Sequence, residues 1–351
     1  MKTAVVICPG RGTYNKAELG TLGRHFPDAE LLARFDAMRT AEGQETLSAL
    51  DGATRFSGAV HTRGDNASAL IYAASLRDFL AIDGEAVRVV AVTGNSMGWY
   101  TALGCAGALS PEDGFMVVNT MGRLMHDALI GGQLVYPHMG AEWRPDPGRK
   151  AELLAQVAEI DARECHRLAL SIDLGGMLVL AGNDAGLAAF EAEAPPVEGR
   201  FPLRLGNHAA FHTDLQAPVA ERGRAKLSPA LFGQPRLPLV DGRGAVWWPH
   251  GSDPQALWDY TLGHQVTEAY DFTAAIRTAA REFAPDLFIV TGPGTTLGGA
   301  VAQSLILTGW AGMGSKDDFK ARQDATPMLV SMGLAEQRGL VTGATEKEIS
   351  T

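Results

Sequence analysis

Three short apolar runs, each followed at once by a glycine-rich turn, constrain the fold of this chain more than any other feature. The runs cover residues 4–8, 87–92 and 287–290. Strands that are buried on both faces have continuous apolar sequences of this kind. Helical patterns follow, and we predict helices over residues 68–80, 99–108, 111–129, 271–283 and 297–307. The repeated order of strand, glycine turn and helix predicts an α/β fold whose large domain has a parallel β-sheet flanked by helices.

The pattern changes between residues 131 and 207. Strands are predicted over 133–139, 168–172, 177–181 and 201–205, and helices over 150–160 and 185–192. The order β-α-β-β-α-β is typical of a small ferredoxin-like α+β unit. We therefore predict a large α/β domain formed by residues 1–131 and 208–351, with a ferredoxin-like domain, residues 132–207, inserted into it. A cleft between the two is the expected ligand site.

Composition excludes several classes of function. The chain has 351 residues with 30 Lys+Arg and 40 Asp+Glu, a formal net charge of −10, which argues against general binding of nucleic acid. The hydrophobic fraction of 46% supplies a buried core and excludes wholesale disorder. Three scattered cysteines are too few for a disulfide framework or a zinc site. No apolar run approaches the roughly 20 residues of a membrane span, so we expect a cytoplasmic protein without metal or membrane partner.

The turn after the second apolar run carries the strongest chemical signal. Gly94-Asn95-Ser96-Met97-Gly98 matches G-x-S-x-G, a strained turn from strand to helix that exposes a serine hydroxyl. At the start of a helix, free backbone N–H groups stabilise developing negative charge. The alternative is an ordinary serine cap of a helix. A serine nucleophile needs a base, and His212 follows the last strand of the inserted segment; its spacing alone leaves that role open.

From about residue 5 to residue 300, the chain resembles the malonyl-CoA:acyl carrier protein transacylases and the related acyltransferase domains of polyketide and fatty-acid synthases. Pro9-Gly10-Arg11-Gly12 is similar to the Pro-Gly-Gln-Gly loop of that family, and residues 94–98 match its serine turn. Residues 181–182, 211–213 and 292–294 match further family segments, in the family's order.

This resemblance implies a role for each matched residue. Ser96 would be the nucleophile that carries the acyl group, His212 its base, and the backbone N–H groups of Arg11 and Met97 the oxyanion hole. The implied substrates are an acyl-CoA and the phosphopantetheine thiol of an acyl carrier protein, and no permanently bound cofactor is expected. A Ser–His dyad suffices because thioesters are activated acyl donors.

Several positions differ from the family in ways that affect the expected substrate. Met121 stands where the family has the arginine that holds the malonyl carboxylate. The residues that we expect to contact the substrate are Met121, Asn95, Asp271 and Phe211. Arg11 replaces a glutamine, and its guanidinium would reach the pocket from the opposite wall; the alternative is a solvated loop arginine. Asp271 falls near a glutamine whose carbonyl orients the family's histidine, so it either completes a triad or caps the following helix.

Two further functions fit the same residues. One is an acyl-thioester hydrolase on the same fold, which would release free acid without an acceptor thiol. The other is a carrier-protein-binding homologue without catalytic activity, suggested by the altered serine neighbours Asn95 and Trp99 and by the missing arginine. Intact Ser96 and His212 argue against that second alternative. The sequence therefore favours an acyl-CoA:acyl carrier protein S-acyltransferase.

Overall fold

The computed structural model describes residues 1–26 and 28–343, so the last eight residues of the predicted large domain lie outside the described residues. Its strands are β1 Lys2–Cys8, β2 Val87–Gly94, β3 Gly132–Pro137, β4 Leu168–Leu174, β5 Met177–Gly182, β6 Leu203–Arg204, β7 Leu239–Val240, β8 Val246–Trp247, β9 Tyr270–Asp271, β10 Leu287–Val290 and β11 Leu329–Ser331. Its α-helices are α1 Thr21–His25, α2 Ala29–Ala41, α3 Leu47–Asp51, α4 Gly58–His61, α5 Gly64–Leu80, α6 Gly98–Cys105, α7 Pro111–Ala128, α8 Pro147–Asp161, α9 Asp184–Glu193, α10 Ala217–Lys226, α11 Pro254–Asp259, α12 Gln265–Thr267, α13 Phe272–Phe283, α14 Leu297–Leu307, α15 Lys316–Ala325 and α16 Ala335–Thr342.

The larger sheet has the strand order β11-β10-β1-β2-β7-β8. Every pairing is parallel except that of β7 with β8, so the predicted parallel sheet has one antiparallel strand at its edge. The central strand β1 is almost entirely buried, as its apolar sequence requires. The carboxyl ends of β1 and β2 meet at one edge, which brings residues 9–12 against the serine turn.

The second sheet has the order β6-β3-β5-β4-β9 and is mostly antiparallel. Residues 132–204 contribute the elements β3, α8, β4, β5, α9 and β6 in that order, which is the predicted β-α-β-β-α-β sequence. The fifth strand, β9, comes from beyond the predicted insertion and pairs in parallel with β4. The α/β fold class is confirmed, whereas the division into two domains at residues 131 and 207 stays a prediction.

Two hydrophobic clusters accompany the two sheets. The first packs around β1, β2 and β10 and includes helices α5, α6, α7 and α14. The second lies between the smaller sheet and helices α8 and α9, with Leu134, Tyr136, Leu153, Leu180, Phe190 and Phe201 among its members. Each sheet therefore packs against its own hydrophobic cluster.

Across residues 1–26 and 28–343, every helix is too short or too polar to cross a bilayer. The cytoplasmic location stays a prediction.

Candidate active site

Ser96 occupies a strained turn between β2 and α6. Its φ is +55°, in the left-handed region that residues other than glycine rarely adopt. The turn is held by the Asn95 N–H, which donates to the Cys8 carbonyl at 2.9 Å, and by the Trp99 N–H, which donates to the Ser96 carbonyl at 3.0 Å. The hydroxyl thus projects from the edge of the larger sheet at the N-terminal end of α6.

The two glycines of the motif are required by close packing. A Cβ at Gly98 would lie 2.1 Å from the Cys8 carbonyl oxygen, and one at Gly94 would lie 2.2 Å from the Gly98 carbonyl group. Both obstacles are backbone atoms, which cannot move aside as a flexible side chain would. The G-x-S-x-G spacing therefore allows α6 to approach β1 closely enough to form the turn.

His212 lies within hydrogen-bonding distance of the serine. Its Nε2 is 2.7 Å from Ser96 Oγ, and its Nδ1 is 2.7 Å from the backbone carbonyl oxygen of Gln265. A carbonyl only accepts, so Nδ1 carries the proton and Nε2 is free to accept from the serine hydroxyl. Burial lowers the pKa of His212 to about 4, although its bond to the Gln265 carbonyl opposes this shift. The imidazole is neutral at pH 7.

Gln265 connects both members of the pair, although no motif in the sequence points to it. Its carbonyl accepts from His212, its side-chain Nε2 donates to the Ser96 carbonyl at 3.1 Å, and its Oε1 accepts from the Tyr100 hydroxyl at 2.9 Å. It directly follows a π-helical turn, Tyr260–His264. Such turns are rare and frequently occur at functional sites. No local sequence pattern marks them.

The loop of residues 9–12 lies directly against the serine turn. A Cβ at Gly10 would lie 2.6 Å from the Asn95 carbonyl oxygen and 3.5 Å from the Ser96 Cβ. Among the described residues, the backbone N–H groups of Arg11 and Met97 have no acceptor. Two unoccupied donors beside a serine hydroxyl form an arrangement that can bind an oxyanion.

Ser96 lies between two cavities of different size. The smaller, about 30 Å³, is lined by Ser96, Met97, Met125, His212 and Val266, among others. The larger, about 620 Å³, lies between the two sheets and is mainly apolar, with Val135, Met139, Ile172, Met177, Leu205 and Leu297 in its walls. Arg11 and Phe211 line both cavities. The small and the large cavity thus meet at Ser96.

Arg11 is a half-buried cation at this junction. Its Nη2 donates to the carbonyl oxygens of Thr62 and Asn207, each at 3.0 Å, and its guanidinium carbon lies 5.6 Å from the centre of the Phe211 ring. Burial lowers the pKa of Arg11 to about 10, so the group stays charged at pH 7. The Asp65 carboxylate opposes this shift, but its ion pair among the described residues is with Arg63. Two backbone carbonyls thus hold the guanidinium at the cavities, and its role in binding the acyl group stays a prediction.

Three other predicted contacts have different outcomes. Met121 lies in the core with its sulfur against Gly223, while Gly122 and Met125 of the same helix face the serine, so its predicted contact with the acyl group is wrong. Asp271 accepts from the Ala274 N–H at 2.6 Å as the cap of α13, and it is Gln265 that contacts His212; the triad is therefore also wrong. Asn95 lines the larger cavity with its Oδ1 buried and unpartnered among the described residues.

Comparisons with known proteins find partial sequence similarity to acyltransferases. No family model matches the chain. A polyketide synthase of Streptomyces halstedii is 30% identical over 213 residues, 60% of this chain and 4% of that protein. The malonyl CoA-acyl carrier protein transacylase of Bacillus subtilis is 27% identical over 211 residues, which are 59% of this chain and 62% of that protein. The chain thus spans less than two thirds of the length of these relatives.

Solved structures agree over nearly the whole chain. An acyl-carrier-protein S-malonyltransferase of Burkholderia pseudomallei superposes with a TM-score of 0.71 at 22% identity, covering 98% of this chain and all of that one. A malonyl-transacylase solved in complex with a type II polyketide acyl carrier protein gives 0.71 at 18% identity, again covering 98% and 100%. These likenesses establish the fold.

The chain is thus similar in fold to malonyl-CoA:acyl carrier protein transacylases, and part of its sequence is similar to theirs. The named relatives of that family are acyltransferases.

Proposed function

We propose that this protein transfers an acyl group from coenzyme A to the phosphopantetheine thiol of an acyl carrier protein, by way of an ester on Ser96. The observation that carries the proposal is the 2.7 Å separation of Ser96 Oγ and His212 Nε2, with the histidine's other nitrogen bonded to the Gln265 carbonyl. That geometry suits removal of the serine proton by a neutral imidazole.

The reaction has two balanced halves. Ser96 Oγ bonds to the thioester carbon while its proton moves to His212 Nε2, and the oxyanion binds the N–H groups of Arg11 and Met97. The carbon–sulfur bond then breaks, and the thiolate of coenzyme A takes the proton from the imidazolium. In the second half, His212 removes the proton of the carrier-protein thiol, the sulfur attacks the ester carbon, and Ser96 Oγ leaves and regains the proton.

Labelling of the serine tests this function. The protein is incubated with malonyl-CoA or acetyl-CoA and its intact mass is measured, followed by addition of a carrier protein that bears phosphopantetheine. We expect one acyl group on the wild type, none on Ser96→Ala, and transfer to the carrier protein. Ser57→Ala, outside both cavities, serves as the matched control and should behave as the wild type. Release of free acid without an acceptor would instead support the hydrolase, and absence of any ester would refute acyl transfer.

We further infer that the acyl group is short and carries a carboxylate. The small cavity of about 30 Å³ leaves no space for a long acyl chain, since one water alone needs roughly 10–15 Å³. Arg11 lines this cavity as a cation, and the carboxylate that acts on its charge, Asp65, is paired with Arg63 among the described residues. A buried charge of this kind is stabilised by an anion. Malonyl satisfies both conditions, and Arg11 then takes the role that Met121 cannot.

Substitution of Arg11 tests the acyl group separately. The ratio of kcat/KM for malonyl-CoA to that for acetyl-CoA is measured for the wild type, Arg11→Met and Arg11→Lys. A charge-assisted hydrogen bond contributes about 1.5–3 kcal/mol, so Arg11→Met should lower the ratio about ten- to a hundredfold, and Arg11→Lys should lower it less. The acetyl rate corrects for any general disturbance of the loop. An unchanged ratio in Arg11→Met would exclude this role.

A further inference from the structure

A row of hydrogen bonds runs from the backbone beside His212 into the larger cavity. Ser171 Oγ donates to the Phe211 carbonyl oxygen at 2.8 Å. Gln133 Nε2 donates to Ser171 Oγ at 2.7 Å, and Gln133 Oε1 lies 2.8 Å from His208 Nδ1. The row ends at the His208 ring, which lines the larger cavity. None of these polar groups takes part in the proton transfers derived above.

The Phe211 carbonyl determines which atom donates and which accepts in every hydrogen bond of this row. The Phe211 carbonyl can only accept, so the single proton of Ser171 points to it. Ser171 Oγ then accepts from the amide NH₂ of Gln133, which leaves the Gln133 carbonyl oxygen facing His208. His208 Nδ1 must therefore carry a proton, and its Nε2 has a lone pair in the neutral ring.

His208 stays neutral over the physiological range. Burial, together with the nearby Arg11 cation, lowers the pKa of His208 to about 3. The groups that face the ring are the Arg11 cation, the Gln133 amide and the Phe211 ring, whose centre is 5.7 Å away. The structure shows no partner for His208 Nε2 among the described residues. The His208 ring, which lines the larger cavity, therefore offers a hydrogen-bond acceptor at Nε2.

The position of His208 places it beside the thiol arm of the substrate and not beside the acyl group. Ser96 belongs to both cavities, whereas His208 lines only the larger one. With a short acyl group in the smaller cavity, the thiol arm of the thioester extends into the larger, mainly apolar one. That arm carries an amide N–H two carbons from its sulfur. We propose that His208 Nε2 accepts a hydrogen bond from an amide N–H of the phosphopantetheine arm and so positions the thioester sulfur over Ser96.

This inference rests on the proposed function, and a pair of truncated substrates tests it. One is the malonyl thioester of N-acetylcysteamine, which keeps the first amide N–H; the other is its N-methylated analogue, which has no N–H. Acylation of Ser96 is followed by intact mass for the wild type, His208→Phe and His208→Gln. One neutral hydrogen bond corresponds to about a three- to tenfold change in kcat/KM. We expect the wild type to prefer the N–H substrate by that factor and His208→Phe to lose the preference.

The variants separate positioning from a structural role. Gln donates from its NH₂ to Gln133 and accepts with its carbonyl oxygen, so His208→Gln should keep part of the preference. Equal losses for both thioesters in His208→Phe, or a wild type without any preference, would overturn the inference while leaving acyl transfer intact. Failure of the wild type to form an ester from either thioester or from malonyl-CoA would refute the proposed function, and the role of His208 with it.

Discussion

Acylation of Ser96 should persist at a pH where an ordinary histidine would be inactive as a base. An unperturbed imidazole has a pKa near 6.5, whereas burial lowers that of His212 to about 4. At pH 5, a group with a pKa of about 4 is roughly 90% neutral, and one with a pKa of about 6.5 is roughly 3% neutral. The structure thus predicts that kcat/KM at pH 5 is close to its value at pH 7, about thirtyfold above the expectation for an exposed histidine.

The assay is rapid-quench mass spectrometry of the acyl-enzyme at subsaturating malonyl-CoA from pH 4 to pH 8. Acetyl-CoA serves as a second substrate, because its acyl group has no carboxylate to titrate. The reasoning is refuted by a fall in kcat/KM centred between pH 6 and pH 7 with both substrates. That result would mean that the imidazole is hydrated in the free enzyme or that another group removes the proton.

Protein stability changes over the same pH range and needs its own control. Below about pH 6.5 the unfolded chain protonates this histidine, while the folded protein does not until about pH 4. The unfolded state therefore takes up the proton first, and the free energy of unfolding decreases as the pH falls from 6.5 to 4. Since His212 is only 4% exposed, the loss from this residue reaches about 3 kcal/mol at the lower end. Urea unfolding at each pH separates this loss from the catalytic effect.

Three further predictions concern the supports of the site. Gly98→Ala should lower the free energy of unfolding by about 3 kcal/mol or more and abolish acylation, because its Cβ meets the Cys8 carbonyl at 2.1 Å; Gly298→Ala, with open space around it in α14, should be neutral or stabilising in the same urea titration. Asp271→Asn should keep kcat within about threefold, since asparagine also caps helices and no triad exists; a hundredfold loss would contradict this. Tyr100→Phe leaves Gln265 Oε1 buried without its donor, so it should destabilise by about 1–3 kcal/mol and lower kcat more than it raises KM, as steady-state kinetics would show.

The elements that are governed by local sequence were predictable. The helix expected over residues 297–307 is α14, Leu297–Leu307, and the strands around the first and third glycine turns lie where the apolar runs are. Local patterns suffice there because each run is continuously apolar and is followed by a glycine-rich turn. The strand expected over residues 201–205 shrinks to Leu203–Arg204, since it pairs with β3 alone at the edge of its sheet.

The parts that depend on distant segments were not predictable in the same way. Asp271 was considered as the partner of His212, but the contact comes from Gln265, because the π-helical turn before it directs that carbonyl toward the histidine. Likewise, the core position of Met121 depends on Gly223, a hundred residues away, which leaves room for its sulfur. Such placements depend on packing between segments that are distant in the sequence. A short motif carries no information about that packing.

Buried hydrogen bonds hold the two strained residues of the site in place. Ser96 and His212 both have φ values near +55°, a conformation that costs about 1–3 kcal/mol each for residues of this kind. The Tyr270 hydroxyl holds the serine turn through the Gly94 carbonyl at 2.6 Å, and the Thr213 hydroxyl holds the histidine loop through the Ala210 carbonyl at 2.7 Å. Since the strain persists only where such contacts outweigh it, these buried hydroxyls maintain the distance between the serine oxygen and the imidazole.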